Sequence, residues 1–155
     1  MNRILGFFFI TLFSIFLGSQ ITEGCLLVPY WKTLSTTEFY EYYSQFGLII
    51  GRFFTALTIL AALIPIGISI YCFQKKSGAL TYALISSFFT FLGIALFYMY
   101  FKDTNQQFFD ANFNASQLKY ELNIWGYWHW IRVILEFIAL IFLMLTFNIL
   151  TKKKD

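Results

Sequence analysis

The chain has a single histidine, and it sits in "WGYWHWIRVILEF", residues 125 to 137, among three tryptophans, an arginine and a glutamate. His129, Arg132 and Glu136 are residue types that move protons and hold developing anions. An imidazole titrates near neutrality, a guanidinium stays charged, and a carboxylate accepts a proton. Their spacing brings them together. At about 100° per residue, Arg132 projects ~60° and Glu136 ~20° from His129, so the three form one stripe with Trp125 along a helix. The sequence that follows is apolar, and a charge inside an apolar span costs roughly 2.5–3.5 kcal/mol even on lenient insertion scales. Each is therefore a candidate for function.

Two more charges stand at the edges of apolar runs. Glu23 falls near the end of the first run, with Gln20 one turn deeper on the same face and Gly24 beside it. Arg52 falls just inside the second. Two carboxylates, two guanidiniums and one neutral imidazole sum to zero, which points to a single internal cluster, because buried charges persist when paired. The candidate catalytic residues are His129, Arg132, Glu23 and Glu136, with Arg52, Gln20, Trp125 and Trp128 as substrate-binding or supporting residues. Blander readings stay open: Arg52 as a snorkelling side chain, His129 as an interfacial residue beside its tryptophans, and Arg132 with Glu136 as a local i,i+4 ion pair.

The elements that must position these residues follow from composition. Of 155 residues, 59% are hydrophobic, 23% aromatic and only 12% charged, and mean hydropathy is +0.66. A soluble domain carries about twice that charged fraction. Four apolar runs, about 4–28, 47–73, 79–101 and 125–150, each approach the ~20 residues a helix needs to cross the hydrocarbon. Helix is the open-chain form that satisfies its own backbone there. The expected fold is all-α, a single-domain (1–155) integral membrane four-helix bundle. Arg3 followed by "ILGFFFITLFSIFLGS" also fits a signal peptide, but the run continues through "CLLVPYW" without a small-x-small site, so a retained first helix is expected.

Arg3, Lys75 with Lys76, and Lys152, Lys153 and Lys154 flank the spans on one side, whereas the lysines of 29–46 and 102–124 are offset by acids. The positive-inside rule then puts both termini in the cytoplasm, consistent with a bacterial inner membrane, and makes 29–46 and 102–124 outer loops. Their mixture of aromatics, amides and acids suits the headgroup level, as a belt or as a lid. Asn114-Ala115-Ser116 is a glycosylation tripeptide of the kind common by chance. The net charge of +3 makes no groove-sized patch, which excludes nucleic acid as a partner. Cys25 and Cys72 have no CxxC or Cys/His spacing and read as buried thiols on opposite faces, too far apart to bridge. Gly51, Thr55, Ala56 and Thr58 are small enough to let a neighbouring backbone approach Arg52, and Pro65 is a candidate kink. The phenylalanines at 7–9 and 86–93 are expected against lipid and other helices.

The opening of the final helix, W-x-x-W-H-x-x-R at Trp125, Trp128, His129 and Arg132, resembles the anthrone oxygenase-like family of small four-helix membrane proteins. The likeness extends in outline to polar and small residues late in the first helix, Pro29 before an outer loop, and a short basic link between helices two and three. The resemblance implies a membrane family some of whose members oxygenate polycyclic phenols, and it carries over His129 and Arg132 as motif positions. Glu23, Glu136 and Arg52 rest on the charge argument alone.

The expected function is an oxidoreductase or oxygenase-like enzyme acting on a hydrophobic or phenolic small molecule. His129 would be the general base and Arg132 or Arg52 the oxyanion holder. No cofactor is expected: a haem with two axial histidines is excluded by count, and a metal at His129 would lack a second imidazole. Two other classes remain open, a carrier or proton-relay element and a non-catalytic subunit whose polar stripe meets a partner. The cytoplasmic half of every helix is apolar, which weighs against a relay.

Overall fold

The computed structural model describes residues 2–152; Lys153 and Lys154 of the basic tail lie outside them. Four helices make up the fold: α1 (Arg3–Thr33), α2 (Thr36–Gln74), α3 (Leu80–Phe109) and α4 (Ala115–Thr151). Each is long and apolar enough to cross a membrane. They form a ring in which α1 packs on α2, α2 on α3, α3 on α4, and α4 closes back on α1. The α1–α2 and α3–α4 connections share one end of the bundle. The α2–α3 turn and the first residue of α1 lie at the other.

The helices overrun the expected spans at the connection end, and residues 29–46 and 102–124 are not loops. α2 begins at Thr36, where Ser35 caps the first turn and Glu38 returns a bond to the Ser35 N–H at 2.8 Å. α4 begins at Ala115 with the same reciprocal arrangement between Asn114 and Gln117. These capping boxes start helices in polar sequence where hydropathy gives no signal. Asn114, the asparagine of the glycosylation tripeptide, is thereby the cap of α4. Only short links remain, and Tyr40 pins one of them: its hydroxyl donates to the Phe113 carbonyl at 2.7 Å and accepts from the Phe113 N–H at 3.0 Å.

Two turns of π-helix interrupt the α geometry, Glu23–Leu27 in α1 and Phe97–Phe101 in α3. Pro29 was expected to end the first helix, and the first π-turn is why it does not. The Val28 N–H bonds five residues back to the Glu23 carbonyl, so Pro29 falls in the opening turn of a fresh α segment, where a missing N–H costs least.

Two apolar cores are stacked along the bundle. Near the termini, Phe13, Phe16 and Leu17 of α1 meet Ile64 and Ile68 of α2 and Leu143 and Phe147 of α4. At the connection end the core is aromatic, with Trp31, Phe39, Tyr43, Phe101, Phe108 and Trp125, joined mostly edge to face. Small hydroxyls stitch the helices: Ser86 donates to the Ala139 carbonyl at 2.8 Å, and Ser69 meets Ser87 at 2.9 Å. Phe7, Phe8, Phe88 and Phe91 face outward, as lipid-facing residues do. Cys72 is buried, but Cys25 is exposed: the two cysteines are free, and the expectation of two buried thiols holds for one.

Tyr40→Phe removes both bonds to Phe113 and leaves a partly buried amide unpaired. A loss of about 1–3 kcal/mol is expected, to be read as a lower melting temperature in detergent, with Tyr42→Phe as the control.

Candidate functional site

Between the two cores lies a polar layer. Gln20, Glu23, His129 and Glu136 are all buried there, and the Arg132 side chain is 11% exposed. Five of the eight residues expected at the site therefore meet at one level, and Trp125 forms its lid. Its ring stacks on the imidazole of His129 at 5.1 Å and 10°, and its indole N–H donates to Asn105 Oδ1 at 2.8 Å. Trp128 is set aside from the cluster, half-buried against Tyr100. Arg52 is exposed on the outer face of α2 beside a shallow groove. It is not a member of the cluster, and the charge balance that included it has to be redrawn.

The centre is Arg132 Nη2. It donates to His129 Nδ1 at 2.8 Å and to Glu23 Oε2 at 3.2 Å, while the guanidinium carbon stands 4.6 Å over the Phe101 ring. Those bonds fix the state of the histidine. Its Nε2 lies 2.8 Å from the Gln20 carbonyl, an oxygen that only accepts, so Nε2 carries the proton and Nδ1 offers its lone pair to Arg132. In that tautomer the 3.6 Å approach of Nδ1 to Glu23 joins two acceptors and is bridged by Arg132. Both nitrogens of His129 are in use, and its ring is fully buried.

The backbone makes room for this. A Cβ on Gly24 would lie 3.0 Å from His129 Cδ2 and Nε2 and 3.0 Å from Trp130. The π-turn of α1 presents Glu23 and Gly24 together to α4, and the π-turn of α3 presents Phe101 to Arg132. Single π-turns recur at functional sites.

Beside the polar layer is a cavity of about 600 Å³ between α2 and α3, floored by α4. Glu23, Arg132 and Glu136 reach its wall, together with Trp31, Trp125 and Gly93. Gly47, Gly51, Thr55 and Thr58 line its α2 side. The small residues of α2 thus leave space unfilled and draw no helix closer: a Cβ added to Gly51 would meet nothing within 4 Å. Arg132 turns toward Glu23, and among the described residues no ion pair joins it to Glu136. Three residues that line it each carry a buried polar atom without a partner: Arg132 Nε, Glu136 Oε2 and Trp31 Nε1. Gln20 Oε1 is a fourth nearby. No three His, Cys, Asp or Glu side chains converge among the described residues.

Trp31, Asn105 and Phe101 belong to the site and carry no mark in the sequence that separates them from other interfacial aromatics and amides. The fold and the polar layer define a four-span, all-α membrane protein with a cavity between α2 and α3. No family model, curated protein or solved structure matches the chain, so the W-x-x-W-H-x-x-R resemblance gains no support beyond its own residues.

The two glutamates should respond oppositely to neutralisation. Glu23→Gln strips Arg132 of its carboxylate and should cost about 3–5 kcal/mol, as removing one partner of a buried pair does. Glu136→Gln removes an unpartnered carboxylate and should leave the detergent melting temperature unchanged or raised.

Proposed function

We propose that this chain is a membrane enzyme that takes a hydrophobic phenol into the cavity between α2 and α3. Glu136 accepts the hydroxyl proton and Arg132 holds the oxyanion that results. The observation behind this reading is that two residues lining one largely apolar cavity, one turn apart on α4, each carry a buried polar atom without a partner, Glu136 Oε2 and Arg132 Nε. Buried polar atoms are normally paired. A hydroxyl entering this layer would offer a donor to Glu136 and an acceptor to Arg132. As the proton leaves, the fixed charge of Arg132 would strengthen its hold on the oxygen.

His129, the base suggested by residue type, takes a different role here. Its lone pair holds Arg132 Nη2 and its N–H holds the Gln20 carbonyl, so it is a positioning residue that fixes the guanidinium for the cavity. The redrawn charge count supports Glu136 as the base: Glu23 and Arg132 cancel, and Glu136 is the carboxylate left over. The resemblance of the final helix adds oxygenation of such a phenolate by dioxygen, and that step rests on the motif alone. The polar stripe faces the chain's own interior, which suits a self-contained site better than a surface for a partner subunit. The lysine distribution favours cytoplasmic termini, with the polar layer in the outer half of a bacterial inner membrane.

Titration with 1-naphthol should quench tryptophan fluorescence saturably, since Trp31 and Trp125 line the cavity. Glu136→Gln should weaken binding by about tenfold or more, the worth of one hydrogen bond to a charged group. The methyl ether of naphthol, which has no proton to give, should not compete. Linear, non-saturable quenching by 1-naphthol would sink the proposal.

A further inference from the structure

The geometry points to a ligand that arrives from the bilayer: a lipid-borne phenol whose aromatic head sits at Arg132 and Glu136 and whose apolar tail lies out through the gap between α2 and α3. This rests on the phenol reading above and adds the route and the tail.

Toward the connection end the cavity is walled on one side by packed rings, while Lys102, Gln106 and Phe109 of α3 line it and are exposed. Trp31, Tyr43 and Trp125 wall it and belong to the aromatic core, whose lid is held by the bonds of Trp125 to Asn105 and of Tyr40 to Phe113.

The side toward the lipid is open. Leu48, Ile59 and Leu63 of α2 and Tyr98 of α3 line the cavity and are also 55%, 55%, 60% and 65% exposed. Residues that are both lining and exposed form a rim, and this stretch of it is apolar and lies within two membrane-spanning helices. Between them Gly51 and Thr55 form a saddle, since both line the cavity and also the shallow groove on the outer face of α2. The missing side chain of Gly51 leaves that saddle empty.

The volume fits the same ligand. About 600 Å³ is the size of a site for a drug-sized molecule, more than one aromatic ring fills. The polar lining residues, Glu23, Arg132 and Glu136 with Lys102, Asn105 and Gln106 toward the connection end, lie on the other helices, and the α2 wall from Gly47 to Leu63 is apolar or small. One polar end and one long apolar end describe an amphiphile, and each methylene of its tail adds affinity for the bilayer it comes from.

The test compares 4-methylphenol with 4-decylphenol by tryptophan quenching in detergent, using wild type, Gly51→Trp and Gly67→Trp. Gly67 is on the same helix, equally open to a side chain, and outside the cavity wall, so its variant controls for bulk and for partition into micelles. Wild type and Gly67→Trp should bind the decyl compound at least about tenfold more tightly than the methyl one, from burial of several methylenes. Gly51→Trp should erase that advantage, bringing the two phenols within about twofold of each other. Thr55→Phe, at the same saddle, should repeat the result should Gly51→Trp fold poorly. If 4-methylphenol binds saturably but neither saddle variant alters the tail's advantage, or both weaken the two phenols equally, the bilayer route is wrong while the site stands. If neither phenol binds saturably in wild type, the phenol reading itself fails and takes this inference with it.

Discussion

A guanidinium held among membrane-spanning helices is the constraint on which the rest of this structure depends. Arg132 cannot be left unpaired there, because an uncompensated charge at that depth costs more than a typical helix contact returns. Its Nη2 meets Glu23 of α1 and His129 of α4 at once, and its carbon lies over Phe101 of α3. Three of the four helices are thereby fixed at one level by one side chain. The helix that takes no part is α2, and the cavity opens along α2.

The polar layer also explains where helical geometry breaks. The π-turns at Glu23–Leu27 and Phe97–Phe101 supply two of the partners of Arg132, and Gly24 yields the space that the His129 ring occupies. A regular α1 carrying Pro29 would leave a carbonyl without a donor. The wider turn absorbs that defect within the segment that presents Glu23 to Arg132. Local irregularity and site construction coincide, as they do where backbone departures are functional.

Charge bookkeeping changes meaning once Arg52 is removed from it. With Arg52 exposed on α2, the interior holds one matched pair and one further carboxylate, Glu136, on a wall with two unpartnered donors. A closed, self-neutral cluster would be a structural device. Here the Glu136 carboxylate is buried without a partner, and Gly93 faces it, where an added Cβ would stand 3.6 Å from Oε1.

The sequence by itself determined the class and marked five of the residues that meet in the layer. Apolar runs of spanning length dictate helices because hydrocarbon offers the backbone no other partner. The projection of His129, Arg132 and Glu136 onto one stripe follows from the helical repeat, and the cost of burying Glu23 marks it as a member. The reach of the helices was legible only in part: the Ser35–Glu38 and Asn114–Gln117 boxes are local signals, hidden inside stretches whose polarity reads as loop. Tertiary structure decided the rest. Whether Gly51 and Thr55 draw a helix closer or leave a void depends on which helix faces them, and whether Arg52 joins the cluster depends on the rotation of α2. Which atom of His129 carries a proton depends on the Gln20 carbonyl 109 residues away. None of these is a property of a residue and its neighbours in the chain, because each is set by the packing of one helix on another.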